Sequence, residues 1–251
     1  MSGDRPKKVL MVVHRAESET GRVGRFVREN GYEEEVCRLA LGHPLPQTLH
    51  DYAGVVIFGG PMSVHDTGEY PFLKAERDWI ARHADGATPM LGICLGAQLM
   101  ATALGGNSVR HPQEKVEVGY YPLFSTEQGL ALFPREMHAF QWHGDAIIAP
   151  PGAELLATGD TFAMQAFRMG QAALGNQVHP EVSRVRHHRS VVRAGSATGA
   201  GRRSFIRLER VRRRSSRETS AGGDGDVAAI VVEAAAGLAA EPSGLDIFGQ
   251  Q

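Results

Sequence analysis

The sequence predicts an α/β fold organised around a mostly parallel β-sheet. Three short runs consist almost entirely of apolar residues, with many Val, Leu and Ile, which is typical of strands buried on both faces of a sheet. Segments with the apolar spacing of an amphipathic helix separate these runs. Alternation of strands and helices favours parallel pairing, because each helix carries the chain back to the edge where the next strand begins.

The first half of the chain supplies the alternating elements in order. A strand is predicted at residues 9–13, a helix at 21–30 that stops at Gly31, and a second strand at 35–39. The pattern continues with a strand at 52–58, a helix at 71–83, a strand at 89–94 and a helix at 95–104.

The second half of the chain has a different pattern, since the helical signal fades between residues 117 and 160. Alternating runs at 118–124 and 139–143 indicate antiparallel strands, and a last strand at 174–178 leads into His179. We therefore expect a small antiparallel extension of the parallel sheet, within one domain that spans residues 1–183.

The bulk composition excludes several classes of protein. The 251 residues are 42% hydrophobic with a net charge of −1, so no global field attracts nucleic acid, and nucleic-acid binding is not expected. No apolar stretch is long enough to span a membrane, and no membrane partner is predicted. The two cysteines, Cys37 and Cys94, are too few for a disulfide framework and suit a reducing compartment. We expect a cytoplasmic protein.

The composition changes abruptly after residue 183. Residues 184–217 are rich in arginine with Glu209 as the single acid, whereas residues 218–251 contain acids but no basic residue and are rich in Gly and Ala. Such segments bury too little apolar surface to offset the entropy lost on ordering, so we predict that residues 184–251 are disordered or poorly packed. The alternative is a basic segment that binds RNA or anionic lipid.

The motif with the most chemical content is Gly92-Ile93-Cys94-Leu95-Gly96. A buried strand runs through a glycine-flanked cysteine directly into a helix, which is the geometry of a nucleophile elbow. Glycine on each side permits the close backbone approach of such a turn. The helix N-terminus favours the thiolate, and the backbone N–H of Leu95 points to where an oxyanion would form. The alternative is a small cysteine packed at a strand end.

A proton shuttle for this thiolate is available in His179-Pro180-Glu181, which follows the last predicted strand. The imidazole can accept the thiol proton and return it to a leaving amine, while the carboxylate orients the ring. Two alternatives are a zinc site, for which no further His or Cys lies at ligand spacing, and a pair that caps a loop. Parallel strands share one carboxyl edge, so Cys94 and this pair are expected to meet there. We predict no metal and no cofactor.

Gly59-Gly60-Pro61 follows another predicted strand and is expected at the same edge of the sheet. Paired glycines let the backbone lie against a substrate, and the N–H of Gly60 is a candidate second oxyanion donor. The alternative is an ordinary tight turn.

Trp142-His143-Gly144-Asp145 forms the fourth motif. An aromatic ring, a glycine and an acid together suit recognition of the ammonium and carboxylate groups of an amino acid. For His143 itself, a structural role is favoured over catalysis.

These four motifs occur in the order, and at about the spacing, of the class I (triad-type) glutamine amidotransferases, which the chain resembles from about residue 9 to residue 182. More narrowly, it is similar to stand-alone proteins related to the amidotransferase domain of GMP synthase. The resemblance implies a flavodoxin-like, doubly wound sheet, a Cys-His-Glu triad, a γ-glutamyl thioester intermediate and the release of ammonia.

The resemblance also implies the role of each site residue. Cys94 corresponds to the nucleophile, His179 to the base and Glu181 to the group that orients it. Gly60 and Leu95 correspond to the oxyanion hole. The residues implied to contact the substrate are Met62, Gln98, Trp142, Gly144 and Asp145.

The expected reaction is hydrolysis of the side-chain amide of glutamine, which gives glutamate and ammonia. The sequence shows no P-loop of the G-x-x-x-x-G-K-[ST] type and no ATP-pyrophosphatase domain, so a synthetase that uses the ammonia is expected to be a separate subunit. One alternative is a γ-glutamyl peptidase that acts on isopeptides or thiol conjugates. Another is an inactive or interaction protein whose C-terminal segment prevents folding or recruits an anionic partner.

The chain departs from the family pattern in two places. Asn176 puts a polar side chain in a strand expected to be buried, at a cost on the order of 1 kcal/mol or more if it is unpaired. After residue 183, the arginine-rich segment stands where relatives have an aromatic-containing helical segment, as translation in another reading frame would produce. Loss of a covering helix would leave this end of the sheet poorly packed.

Overall fold

The computed structural model describes residues 8–182 of the chain, and the low-order segment predicted at residues 184–251 lies outside them. The strands are β1 (Lys8–Val13), β2 (Glu33–Arg38), β3 (Tyr52–Ile57), β4 (Met90–Ile93), β5 (Asn107–Arg110), β6 (Glu117–Ser125), β7 (Glu136–His143), β8 (Asp145–Ile148), β9 (Glu154–Thr158), β10 (Ala166–Met169) and β11 (Ala173–Asn176). The helices are α1 (Gly21–Glu29), α2 (Phe72–His83) and α3 (Leu95–Ala103), with short 3₁₀ turns at Leu39–Leu41 and Gln128–Ala131.

Nine strands form one sheet in the order β2-β1-β3-β4-β11-β10-β9-β6-β7. The first five pair in parallel, in the strand order of flavodoxin-like folds. The last four join through antiparallel pairs and continue the same sheet. The predicted flavodoxin-like, mostly parallel sheet with an antiparallel extension is confirmed, and the extension contains four strands.

Helices cover both faces of the parallel strands, as a doubly wound sheet requires. Side chains alternate between the two faces of a strand. In β1, Met11 belongs to the apolar core that includes Val23 of α1, whereas Val12 belongs to the core that includes Trp79 of α2 and Leu99 of α3. Between residues 8 and 182, no helix is long and apolar enough to cross a membrane.

Four short strands escape prediction from the sequence, namely β5, β8, β9 and β10. Each contains only four or five residues, too few for an alternating apolar pattern to stand out. β5 and β8 form a separate antiparallel ribbon, and this ribbon packs against α3.

The carboxyl ends of four neighbouring parallel strands bring the sequence motifs together. His14 follows β1, Gly59 lies just beyond β3, Cys94 follows β4 and Gln177 follows β11. Backbone pairing continues past the strands, since the N–H of Cys94 donates to the carbonyl oxygen of Asn176 at 2.8 Å. The site is therefore built at one edge of the sheet.

Glycines on either side of Cys94 set how closely α3 approaches the sheet. A Cβ at Gly96 would lie 2.1 Å from the carbonyl oxygen of Ile57, and a Cβ at Gly92 would lie 2.7 Å from the carbonyl oxygen of Gly96. Both blocking atoms are backbone atoms, so a larger residue would push the helix away. The two glycines thus allow α3 to begin directly at the end of β4.

Gly96→Ala is expected to lower the free energy of unfolding by about 3 kcal/mol, because the backbone atom that blocks the new methyl group cannot rotate away. Gly68→Ala is the matched control, since a Cβ at Gly68 meets no atom within 4 Å. Its effect should stay within about 0.5 kcal/mol. Urea denaturation measures both values, and equal stabilities would show that α3 does not depend on this close approach.

Candidate active site

Cys94 has a strained backbone conformation at the turn from β4 to α3. Its φ of 50° and ψ of −106° lie outside the regions that non-glycine residues readily adopt. A conformation of this kind costs about 1–3 kcal/mol and persists only where the surrounding structure enforces it. Cys94 is also the N-cap of α3 and is only 5% exposed, so its thiol lies buried at the start of a helix.

His179 and Glu181 form a hydrogen-bonded pair beside this turn. Nδ1 of His179 donates to Oε1 of Glu181 over 2.7 Å, which leaves Nε2 on the far side of the ring. The backbone N–H of His179 donates to the carbonyl oxygen of Phe140 in β7, and the carbonyl oxygen of Glu181 accepts from the N–H of Arg22 in α1. The pair is therefore held by both the antiparallel extension and a helix.

Gly59 lies between Cys94 and His179. A Cβ at Gly59 would stand 3.0 Å from Cε1 of His179 and 3.4 Å from Cβ of Cys94, so both side chains pack against the same glycine. Nε2 of His179 is buried, and the ring interacts with the Cys94 thiol at short range.

The electrostatics of this cluster favour a charged imidazole. Burial alone would lower the pKa of His179, but the negative charges of Glu181 and a Cys94 thiolate, with their hydrogen bonds to the ring, raise it well above its ordinary value. A protonated ring beside a thiolate is the ion pair that an activated cysteine requires.

Gln177 contacts the thiol, and the sequence motifs do not single it out. Its Nε2 donates to Sγ of Cys94 at 3.5 Å, and its Oε1 accepts from Nε2 of Gln98 at 3.4 Å. Both glutamines are buried. The strand register is the signal that would have found it: Asn176 pairs with Ile93, so the next residues along the two strands, Gln177 and Cys94, are neighbours.

Asn176, the departure from the family pattern, is buried and only partly satisfied. Its Oδ1 accepts from the N–H of Val178 at 3.3 Å, whereas its Nδ2 is buried with no partner within residues 8–182. The expected cost of this polar side chain therefore falls on the amide nitrogen.

The two candidate oxyanion donors, Gly60 and Leu95, lie side by side. A Cβ at Gly60 would be 2.8 Å from Cδ2 of Leu95 and 3.3 Å from Sδ of Met62, so the glycine loop after β3 packs onto the first residue of α3. The carbonyl oxygen of Trp142 lies 4.0 Å from Sγ of Cys94, and β7 therefore borders the thiol as well.

Asp145, predicted to contact the substrate, is placed by two polar neighbours. Its Oδ1 accepts from Nη1 of Arg110 at 3.3 Å, and its Oδ2 accepts from Oγ of Ser63 at 3.3 Å. Gly144 lies beneath the same guanidinium, since a Cβ there would be 3.2 Å from Nη1 of Arg110. An acid and a cation thus lie next to each other beside the glycine.

His143 belongs to a buried polar cluster. Its Nδ1 donates to the carbonyl oxygen of Asp145 at 3.1 Å, and its Nε2 lies 3.4 Å from a carboxylate oxygen of Glu117. Nε2 of Gln165 donates to the same carboxylate oxygen, and the His143 ring packs against Phe162 at a centroid distance of 4.4 Å. Among the residues that the structure describes, no group of three or more His, Cys, Asp or Glu side chains is arranged to hold a metal ion.

Cys37, the second cysteine, has a different environment. Its Sγ lies 3.6 Å from the carbonyl oxygen of Pro44 and 3.8 Å from that of His43. Burial, with smaller contributions from the negative charges of Glu76 and Glu35, raises the pKa of Cys37 to about 11. At neutral pH it is a thiol and a poor nucleophile.

A known protein family accounts for most of the chain. The glutamine amidotransferase class-I family model matches residues 17–196. The chain belongs to this family. The match includes Cys94, His179 and Glu181, and membership supports an enzymatic role.

Sequence relatives within the family include both short and long proteins. The chain is 31% identical over 182 residues to the glutamine amidotransferase-like protein YfeJ of Salmonella typhimurium, covering 69% of this chain and 75% of that protein. It is 32% identical over 234 residues to the glutamine-hydrolyzing GMP synthase of Streptomyces avermitilis, covering 86% of this chain and 42% of that protein. The chain therefore spans less than half the length of that synthase.

Solved structures show the same fold. A glutamine amidotransferase from Thermotoga maritima superposes with a TM-score of 0.75 at 26% sequence identity, and the match covers 94% of this chain and 99% of that one. This likeness agrees with the flavodoxin-like sheet described above.

In this amidotransferase-family protein, Glu181→Gln is expected to lower the pKa of His179, because the substitution removes the negative charge and keeps the size of the side chain. NMR titration of the ring protons of His179 measures the change. An unchanged midpoint would show that the carboxylate does not hold the charged ring.

The same shift makes stability depend on pH. His179 binds its proton more tightly in the folded chain than in the unfolded one, where its pKa is about 6.5. Its stabilising contribution is therefore present below pH 6.5 or so and is lost as pH rises through the higher folded pKa. Thermal unfolding measured over a pH series should show that Glu181→Gln loses less stability than the wild type as pH rises. In this variant the loss should also be complete at a lower pH.

Proposed function

We propose that the chain hydrolyses the side-chain amide of glutamine to glutamate and ammonia, with Cys94, His179 and Glu181 as the catalytic triad. The observation that carries the proposal is the packing of Cys94 and His179 against one glycine, with Glu181 hydrogen-bonded to the far nitrogen of the ring. Family membership supports the class of reaction.

The first half-reaction transfers the γ-glutamyl group to the enzyme. The thiolate of Cys94 attacks the amide carbon, a C–S bond forms, and the carbonyl electron pair moves onto oxygen. When this tetrahedral species collapses, the C–N bond breaks and His179 gives its proton to the leaving nitrogen, which departs as ammonia. A γ-glutamyl thioester and a neutral imidazole remain, and Glu181 keeps the ring oriented.

The second half-reaction returns the enzyme to its starting state. The neutral His179 takes a proton from water as the water oxygen attacks the thioester carbon. Collapse of the second tetrahedral species breaks the C–S bond, releases glutamate and restores the Cys94 thiolate beside the imidazolium. Gln177 donates to Sγ of Cys94, which favours the thiolate at the start and the end of the cycle.

The backbone N–H groups of Gly60 and Leu95 are the proposed oxyanion donors. Support comes from their position: the two residues are in contact, and Leu95 directly follows the nucleophile at the start of α3. Donors of this kind stabilise charge that develops only in the transition state, and each is worth about a hundredfold or more in rate.

For the amino-acid end of the substrate, the proposed contacts are the residues that the family resemblance implies, together with Arg110. Asp145 supplies a carboxylate for the ammonium group, and the adjacent Arg110 supplies a cation for the α-carboxylate. The other proposed contacts are Met62, Gln98, Trp142 and Gly144.

The fate of the ammonia points to a partner. Relatives named glutamine-hydrolyzing GMP synthase support a synthetase subunit as the user of the ammonia. We propose such a subunit as the partner and the cytoplasm as the location, in keeping with two unpaired cysteines.

Cys94→Ala is expected to reduce glutamate release from glutamine by about a thousandfold or more, because no other group can form the thioester. Cys37→Ala is the control and should leave turnover close to that of the wild type, since the Cys37 thiol contacts the carbonyl oxygens of His43 and Pro44 and has no part in the reaction. A coupled glutamate assay on folded protein measures both rates.

A folded wild-type protein that releases no glutamate from glutamine would contradict the proposal. Parallel assays with a γ-glutamyl dipeptide separate the amidase from a γ-glutamyl peptidase that uses the same triad. Faster turnover of the dipeptide than of glutamine would reassign the substrate and leave the triad in place.

A further inference from the structure

A fully buried His-Glu pair, separate from the triad, contacts the glycine loop. Nε2 of His14 lies 2.9 Å and 3.1 Å from the two carboxylate oxygens of Glu76, and both side chains are fully buried. His14 ends β1, and Glu76 comes from the middle of α2. Burying two charges is costly, and the triad uses neither residue, so the pair calls for a physical explanation.

The free nitrogen of this ring contacts the glycine loop itself. Nδ1 of His14 lies 3.3 Å from the carbonyl oxygen of Gly59. A carbonyl oxygen can only accept, so Nδ1 must carry a proton whatever the charge of the ring. Glu76 accepts at Nε2 at the same time, and this arrangement fits the doubly protonated imidazolium.

The carbonyl group that accepts this hydrogen bond belongs to the same peptide unit as the proposed oxyanion donor. The carbonyl of Gly59 and the N–H of Gly60 belong to one planar peptide unit. Residues 8–182 contain no cis peptide bond, so the two groups of this unit point in opposite directions. A hydrogen bond that fixes the Gly59 oxygen on the His14 ring therefore directs the Gly60 N–H away from that ring.

Two successive glycines make such a restraint necessary. Gly59 and Gly60 have no Cβ to restrict rotation of the peptide between them. Neighbouring groups leave little room on either side: Gly59 packs against His179, and a Cβ at Gly60 would be 3.2 Å from Cβ of His14. These contacts restrict the position of the loop, and the hydrogen bond from His14 restricts the orientation of the peptide.

We propose that His14 and Glu76 are positioning residues that orient the Gly59–Gly60 peptide so that its N–H serves the oxyanion hole. This inference rests on the proposed amide hydrolysis, because it assigns a task to the oxyanion donor of that reaction. Glu76 acts by holding the ring of His14 and its charge, and His14 acts through its Nδ1–H on Gly59.

The surroundings of the pair agree with a charged, fixed ring. Burial opposes the charge, but Glu76 and the hydrogen bonds to it and to Gly59 raise the pKa of His14 above its ordinary value. The ring of Phe72 packs beside His14 at a centroid distance of 6.4 Å, and the negative charge of Glu76 also acts on the Cys37 thiol. Residues 8–182 show no second cation bonded to the carboxylate of Glu76.

Two double variants isolate the hydrogen bond to Gly59. An asparagine amide reaches about as far as Nδ1 of histidine, whereas a glutamine amide reaches about as far as Nε2. His14→Asn with Glu76→Gln therefore keeps a donor to Gly59, while His14→Gln with Glu76→Gln loses it. Because Glu76→Gln is present in both variants, neither one buries an unpaired carboxylate. The two variants differ from each other by one methylene group.

The variant with His14→Gln is expected to lose about 10- to 100-fold in kcat for glutamine hydrolysis with little change in KM, because an oxyanion donor acts in the transition state. The variant with His14→Asn should recover most of that loss. Alkylation of Cys94 by iodoacetamide needs no oxyanion, so its rate should be the same in both. Equal kcat values in the two folded variants would overturn the proposal, as would a loss confined to KM.

A measurement on the wild-type protein tests the proposal without variants or turnover. The 15N chemical shift of His14 Nδ1 distinguishes a protonated from an unprotonated nitrogen, and we expect protonation at neutral pH. An unprotonated Nδ1 would exclude the hydrogen bond to Gly59 even in a fully active enzyme. If Nδ1 is protonated but the protein has no glutaminase activity, the proposed reaction is contradicted. The inferred hydrogen bond from His14 to Gly59 is then still supported.

Discussion

The strained backbone of Cys94 is the constraint on which the rest of the site depends. A non-glycine residue with a φ of 50° stays in place only because its neighbours leave it no alternative. Its N–H is bonded to Asn176 in β11, and glycines at positions 92 and 96 let α3 press against the sheet. The strain of the turn is thus offset by the pairing and packing of the parallel sheet, and the thiol is left at the carboxyl edge.

Two His-Glu pairs contact the glycine loop, and one of them, His14 with Glu76, is fully buried. His179, which is bonded to Glu181, packs against Gly59 together with Cys94, while His14, which is bonded to Glu76, contacts the carbonyl oxygen of Gly59. One pair is suited to moving a proton and the other to fixing a peptide. A Cβ on Gly59 would lie 3.0 Å from Cε1 of His179 and a Cβ on Gly60 3.2 Å from Cβ of His14, so glycine at both positions gives the two histidines room beside the loop.

The parallel half of the fold and the triad candidates could be predicted because each leaves a short contiguous pattern in the sequence, such as the apolar run that ends at Cys94. The short strands β9 and β10 left no pattern of sufficient length. Gln177 was visible only through strand register, and the contact of His14 with Glu76 joins residues 62 positions apart. None of these residues belongs to a recognisable motif in its own segment, so only the folded structure shows which of them are in contact.

The most direct test of the account is to find which cysteine a glutamine analogue modifies. A chloroketone analogue of glutamine enters the site as a substrate would and forms a stable bond with an activated thiolate. Digestion and mass spectrometry should locate the adduct on Cys94, with Cys37 unmodified and with glutamine slowing the reaction. Equal modification of both cysteines, or modification that glutamine does not slow, would contradict the claim that Cys94 is the nucleophile of a glutamine site.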